Sequence, residues 1–263
     1  QTCALPISIT ASNKTYDRTT TASVTYADDR IAGDTFTVSG TPSFADKNAG
    51  TGKTVTATGI TITGTDAANY TQNTTATTTA NITLRTLNVT ATASNKTYDR
   101  TTAASVTLAD DRVAGDSLSI TYSSSTFADK NAGTGKTVTV AGISISGTDA
   151  ANYTQNTSTT TTADIAAKSL TVTITASNKT YDRTTTASVT YADDRIAGDI
   201  LTVSGTPSFA TKTVANGKTV TATGITITGT DAANYTQNTT ATTTANITLR
   251  ALNESEEHTS ELQ

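Results

Sequence analysis

The stretch TVTATGITIT, Thr54–Thr63, decides the fold. Val55 and Ala57 alternate with Thr54 and Thr56, and Ile60 and Ile62 alternate with Thr61 and Thr63. A period of two places aliphatic side chains on one face of an extended chain and hydroxyls on the other, the pattern of a half-buried strand. Leu87-Asn88-Val89-Thr90-Ala91 reads the same way. Turn signals punctuate these runs at Gly33-Asp34, Gly40-Thr41-Pro42, Gly50-Thr51-Gly52 and Gly64-Thr65-Asp66. No stretch keeps a 3.6-residue apolar period over three turns, so no long helix is expected. Thr makes up about a quarter of the 263 residues, and β-branched side chains suit a pleated surface.

The stretch belongs to a repeated unit. SNKTYDRTT begins at Ser12, Ser94 and Ser177, and GTDAANYTQNT at Gly64, Gly147 and Gly229. The middle copy carries one extra residue between Asp116 and Phe127, which predicts a β-bulge or a lengthened loop. The third copy reads ATKTVANGK where the others read ADKNAGTGK. Units of this length are too long for solenoid repeats and suit small domains with their own cores. Seven or so short strands with regular turns in each unit predict a sandwich. The expected core of the first copy is Ile9, Tyr16, Val24, Phe36, Val38, Phe44, Val55, Ile60, Ile62, Tyr70 and Ile82. Disorder is the competing reading of so low an apolar content, and the strict alternation argues against it.

All four Glu residues lie in the last ten positions, where Glu254, Glu256, Glu257 and Glu261 flank His258; Cys3 stands at the other end. Elsewhere 18 Asp balance 18 Lys plus Arg, so the net charge of -4 belongs to the tail. The opening QTCALPI and the closing SEEHTSELQ resemble conceptual translations of sequencing-library adapters. Segments 1–7 and 255–263 are therefore set apart, and the rest is expected to be an internal piece of a longer reading frame. The expected division is repeat 1 over 8–84, repeat 2 over 85–167 and repeat 3 over 168–250, with 251–254 opening a fourth unit.

SNKTYDRTTTASVTY, AGD, SFADKNAGTGKTVTATGITITG and TDAANYTQN resemble the YDG repeat domain of filamentous-haemagglutinin-type bacterial adhesins. The resemblance implies tandem immunoglobulin-like β-sandwiches, an all-β fold, at the bacterial surface or in secreted form. It supplies no catalytic residue. The Gly that names the motif is Arg here, at Arg18, Arg100 and Arg183. An Arg at positive φ is strained, so an ordinary negative φ is expected in this turn.

The residue inventory argues against an enzyme, and no catalytic, cofactor-binding or metal residue is assigned. Without the two end segments the chain has no His, Cys or Glu, so Ser-His-Asp and Cys-His systems cannot be built. Asp28-Asp29, Asp110-Asp111 and Asp193-Asp194 read as solvated turns balanced by the following Arg. GTGKT at Gly50–Thr54 lacks the earlier Gly of a phosphate loop and reads as a hairpin turn. A structural calcium ion would need Asp28, Asp29, Asp34 and Asp66 to converge. An isopeptide staple would need an interior Lys14 or Lys53 beside Asn81. Sequons at Asn13, Asn69, Asn73 and Asn81 follow from Thr-rich composition. Partners are left unassigned: the neutral body disfavours nucleic acid, and no apolar run reaches the length a bilayer requires.

The expected role is a stalk or spacer in a large adhesin, each unit adding about 30–40 Å. The connection Ile82–Val89 has no Gly or Pro and predicts a stiff link. The alternative is a weak multivalent binding module for a host glycan or protein, with Tyr26 and Tyr191 as candidate contacts and Leu108 in their place in the second copy.

Overall fold

A computed structural model describes residues 6–252. Residues 1–5 of the opening segment, residues 253–254 and the segment 255–263 lie outside the described residues, and with them Cys3, His258 and every Glu. The first repeat forms six strands: β1 (Ser8–Ala11), β2 (Lys14–Thr15), β3 (Val24–Ala27), β4 (Thr37–Phe44), β5 (Gly50–Thr63) and β6 (Thr75–Thr83). One layer is a four-stranded sheet in the order β2-β6-β5-β4. β5 runs antiparallel to both β4 and β6, and β2 lies parallel to the end of β6. β1 and β3 form an antiparallel ribbon that supplies the second layer, with β1 packed across β6. The chain thus changes layers between Ala11 and Lys14, so one extended segment serves both sheets.

The alternation along β5 becomes burial. Val55 and Ala57 are fully buried, and so is Ile60, although its position breaks the odd-numbered sequence. A bulge explains the change of parity: Ser39 pairs with Thr61 and Thr41 with Thr58, leaving an extra residue at Gly59. Gly59 has φ 60°, a left-handed conformation that Gly adopts without a Cβ clash. One strand therefore keeps its aliphatic side chains on the core side across a register shift. Pro42 is tolerated in β4 because that strand lies at the edge of the sheet.

Ile9, Tyr16, Phe44, Val55, Ile60 and Ile82 are buried in one cluster, as the alternation predicts, while Val24, Phe36, Val38, Ile62 and Tyr70 are half-buried. Ile7, Ala22, Ala57 and Ala80 join the core as well. Ile7 belongs to the segment set apart on sequence grounds, yet it fills the place of Val89 and Val172. Its N–H donates to Asn73 at 2.7 Å, as Val89 donates to Asn156 and Val172 to Asn238.

The chain divides into two compact units, and the division cuts the middle repeat. The first holds the described residues up to Ala93 with 105–126 and 139–161; the second holds 94–104, 127–138 and the described residues from 162. In the first unit a single residue, Leu84, separates β6 from β7 (Arg85–Leu87). β7 pairs in parallel with Tyr153–Gln155 and buries Leu87 completely. Where the first repeat has the continuous β4, the middle copy has two strands, Ser119–Thr121 and Ser124–Phe127. The extra residue breaks the strand, and both Ser123 N–H and Ser123 Oγ donate to Ala141 O at 3.0 Å.

The second unit repeats the architecture. Thr202–Phe209, Ala215–Thr228, Thr240–Thr248 and Lys179–Thr180 form its four-stranded sheet, and Val172–Ala176 pairs with Val189–Asp193. Lys168–Leu170 lies parallel to Tyr235–Gln237 with Leu170 buried. The protein is all-β, built from tandem repeats of two-layered sheet units. Its non-strand regular structure among the described residues is three single 3-10 turns, the first at Ala67–Asn69.

Candidate functional site

The most elaborate polar arrangement of each unit lies where one repeat meets the next. It begins with the turn Tyr16-Asp17-Arg18. Asp17 Oδ1 accepts hydrogen bonds from Thr19 N and Thr19 Oγ1, both at 2.9 Å, closing an Asx turn. Lys14 Nζ binds Asp17 Oδ1 at 2.8 Å, Thr19 O at 2.8 Å and Thr21 O at 3.1 Å, and lies over the Phe44 ring. The turn is fixed from both sides, and Arg18 is held at φ 70°. Arg100 and Arg183 adopt φ 68° in the matching turns. The expectation of a negative φ is therefore wrong. The Asx turn and the lysine clamp dictate the left-handed backbone whatever the side chain, and Arg accepts the strain that Gly would avoid. In the third copy, the Lys179 ammonium and then the Thr184 N–H hold the Asp182 carboxyl down at about 2.

The left-handed backbone at Arg18 accompanies a guanidinium that reaches the following repeat. Arg18 Nε lies 3.1 Å from Asp116 Oδ1, and Nη1 donates to Ala114 O at 3.0 Å. The Asp116 side chain is fully buried. Tyr16 donates to its Oδ1 at 3.1 Å and Tyr153 to its Oδ2 at 2.6 Å, and the two rings meet edge-on at 5.5 Å. Val113 N–H completes the set by donating to the Tyr153 hydroxyl at 2.9 Å. Burying a carboxylate is costly unless its lone pairs are filled and a cation is near, and here both conditions hold. Burial, and then the hydrogen bond to Asp116, push the Tyr153 hydroxyl up to about 12.

A second group of contacts comes from the loop Asp46-Lys47-Asn48-Ala49. Lys47 Nζ donates to Asp149 Oδ1 at 2.7 Å, and Ala49 N donates to the buried Asn152 Oδ1 at 2.8 Å. Asp149 Oδ2 accepts from Ser117 N at 3.0 Å. Lys47 and then the Ser117 N–H hold the Asp149 carboxyl below the usual range.

The second unit reproduces the set one repeat later. Arg100 Nε faces the buried Asp199 at 3.1 Å, Lys130 binds Asp231 at 3.0 Å, and Ala132 N binds Asn234 at 2.8 Å. Tyr98 and Tyr235 repeat the edge-on pair at 5.6 Å, and Tyr235 binds Asp199 at 2.6 Å. One detail differs: Tyr98 Oη accepts from Lys130 at 3.3 Å. Asp199 Oδ1 has no well-directed hydrogen bond and relies on Arg100 and Lys130, the latter at 3.8 Å. The glycine of each AGD motif leaves room for the incoming arginine. A Cβ on Gly115 would lie 2.1 Å from Arg18 Nη1, and one on Gly198 would lie 2.5 Å from Arg100 Nη1.

The residues singled out in the sequence fall elsewhere. Asp28 forms a two-point ion pair with Arg30, both bonds at 2.7 Å, and Arg30 also donates to Phe36 O and lies over the Phe36 ring. Asp111 caps Asn88 N, and Asp194 caps Thr171 N. The glycines of Gly50–Thr54 do not form the hairpin turn but start β5. A bulge there aims Gly52 N at Asn81 Oδ1, and Lys14 is engaged by Asp17 and Thr19. Lys53 instead binds Asp46 at 2.6 Å. Asp34 accepts from the Tyr70 hydroxyl and Asp66 from Thr35 N, while Asp28 is taken by Arg30. No group of three acidic, His or Cys side chains is placed to hold a metal ion among the described residues. Tyr26 and Tyr191 are half-buried with their hydroxyls inside the unit, Tyr26 Oη standing 2.8 Å from where a Gly40 Cβ would be. They offer no exposed aromatic patch.

Sequence reasoning missed the junction because its partners stand about 100 residues apart, Tyr16 with Asp116 and Lys47 with Asp149. The available signal was the unvarying recurrence of Tyr-Asp-Arg, Ala-Gly-Asp and Asp-Ala-Ala-Asn-Tyr, beside a position such as Leu108 that drifts.

The model of the YDG domain family matches residues 2–80, 83–162 and 166–245. No curated protein matches this chain. Among solved structures, the crystal structure of Drosophila N-cadherin EC1-3 aligns over 92% of this chain and 98% of that one, at 9% identity and a TM-score of 0.23. No helix among the described residues is long and apolar enough to cross a membrane.

Proposed function

The chain belongs to the YDG domain family, and from that premise we propose that its repeat array is a load-bearing spacer in a large secreted or surface-attached bacterial adhesin. The observation that carries the reading is the junction. Each of its two occurrences spends two tyrosines, an arginine, a lysine and two buried acids on fixing one repeat against the next. A chain of independent binding beads has no need of such contacts. The one-residue connection at Leu84 supports the same reading, because it leaves almost no slack between β6 and β7. The array works without catalysis: the described residues contain no His, Cys or Glu, and the junction carboxylates are occupied by hydroxyls and cations. Its place in the adhesin is to present a distal region away from the cell.

Force spectroscopy on the chain, held through its first and third repeats, tests this function. A spacer resists until discrete unfolding steps appear, each releasing at most about 280 Å for an 80-residue repeat at about 3.5 Å per residue. Extension at low force without steps would contradict the proposal.

A further inference from the structure

The bulge at the start of the long central strand recurs in every repeat, and in repeat 3 it carries a residue of different chemistry. In repeat 1, Gly50 pairs with Ile82 and Lys53 with Ala80, so Thr51 and Gly52 both stand opposite Asn81. In repeat 3, Ala215 pairs with Ile247 and Lys218 with Ala245, so Asn216 and Gly217 both stand opposite Asn246. Gly52, Gly135 and Gly217 share a left-handed φ of 59–60°. Each sends its N–H to a side chain: Gly52 to Asn81 Oδ1 and Gly135 to Asp164 Oδ1 at 2.7 Å, and Gly217 to Asn246 Oδ1 at 2.8 Å. The backbone is thus the same three times, while the residue before the glycine is Thr51, Thr134 and Asn216.

Threonine has no side-chain carbonyl. Asparagine has one, and Cγ of Asn216 lies where attack by the next backbone nitrogen closes a five-membered ring. Asn216-Gly217 is the one Asn-Gly step in the sequence, and glycine puts no side chain in the way of that closure. Even a Cβ on Gly217 would meet nothing within 4 Å. Asn216 and Gly217 are exposed, and the Asn216 amide has no hydrogen-bond partner among the described residues. Thr51 and Thr134 are exposed at the same place although a further repeat follows each of them, so the access belongs to the bulge. We propose that Asn216 is a site of self-modification, deamidating through a succinimide, and that Asn246 sets its rate. Gly217 N bonds to Asn216 Cγ, the Cγ–Nδ2 bond breaks, and ammonia leaves with the proton that Gly217 N gives up. Water then opens the ring at either carbonyl, giving aspartate or an isoaspartate whose main chain runs through Cγ. The brake is the Gly217 N–H bond to Asn246, which must break before the nitrogen can turn on Cγ. The product's charge is well placed: Lys218, two residues on, binds Thr211 and Thr213, whereas its counterparts Lys53 and Lys136 bind Asp46 and Asp129.

Peptide mass spectrometry after incubating the full chain at mildly alkaline pH tests the proposal. Trypsin cuts after Lys212 and Lys218, so the fragment Thr213–Lys218 reports this site alone, and a digest at time zero sets the baseline. The expected result is a mass gain in that fragment, from NH2 replaced by OH, that grows more slowly than in a free peptide of the same sequence. Asn216→Thr, the residue of repeats 1 and 2, removes it. Asn246→Ala speeds conversion about fivefold, the ratio that one hydrogen bond represents. Asn246→Asp keeps the acceptor, as Asp164 does in repeat 2, and does not speed it. Ile174→Ala lowers the urea midpoint without touching the bulge and leaves the rate unchanged, which separates loss of the bond from loss of stability. A chain whose Asn216 stays intact long after the free peptide has fully converted overturns the proposal. So does conversion as fast as in the free peptide, an Asn246→Ala chain no faster than wild type, or an Ile174→Ala chain accelerated as much as Asn246→Ala.

Discussion

Arg18, Arg100 and Arg183 share one backbone conformation but not one environment. The left-handed region costs a non-glycine residue about 1–2 kcal/mol. At Arg18 and Arg100 the guanidinium offsets this cost by standing 3.1 Å from a buried carboxylate. At Arg183 no described partner does so. The same substitution therefore has opposite effects: Arg183→Gly stabilises by about 0.5–1 kcal/mol, after allowance for the entropy glycine adds to the unfolded chain. Arg18→Gly destabilises by about 2 kcal/mol, because Asp116 keeps its burial and loses its nearest cation. Urea unfolding of the two variants measures both. None of this was legible in the sequence, where Arg in place of the motif's Gly pointed to a relaxed turn. The deciding groups, the Asx turn of Asp17 and the Lys14 clamp, act through geometry that the spacing of Tyr-Asp-Arg does not reveal.

Elements were far more legible than their junctions. The alternation of Val55, Ala57, Ile60 and Ile62 identifies β5 and most of its buried face, because a strand with one face in a core must alternate. The parity change at Gly59 was not foreseen, since a bulge is set by pairing with β4 rather than by β5 itself. The start of β1 shows the limits of dividing the chain by composition. Ile7 is a core residue, while Pro6 stands where Asn88 and Thr171 donate to Asp111 and Asp194 at 2.8 and 2.7 Å. Proline has no N–H, so Asp29 lacks the corresponding bond. Pro6→Thr is expected to restore it and raise stability by about 0.5–1 kcal/mol, read as a higher urea midpoint at unchanged slope. An unchanged midpoint would show that the cap carries no weight in repeat 1.

At the scale of the whole molecule, the repeats are coupled through charge, and charge makes the coupling pH-dependent. The Asp149 carboxyl is lowered by Lys47 and then by Ser117 N–H, and the Asp231 carboxyl by Ile200 N–H and then by Lys130. A carboxyl lowered in the folded state contributes its full stability above its unfolded pKa, near 4, and loses it as pH falls through the folded value. Thermal unfolding between pH 5 and pH 2 should therefore show a steep fall in Tm below about pH 4. Lys47→Met should make that fall shallower, and an equal slope in both proteins would remove the junction from the account. The central claim, that neighbouring repeats are locked rather than strung together, is tested most directly by a distance distribution across the first junction. Spin labels at Thr25 in β3 and at Thr107 in Val106–Ala109, both exposed and both in the first unit, report it in a Cys3→Ser background by double electron–electron resonance. The account predicts one narrow distance population that broadens when Asp116→Asn and Asp149→Asn are introduced together. A broad distribution in the otherwise unaltered chain would contradict it.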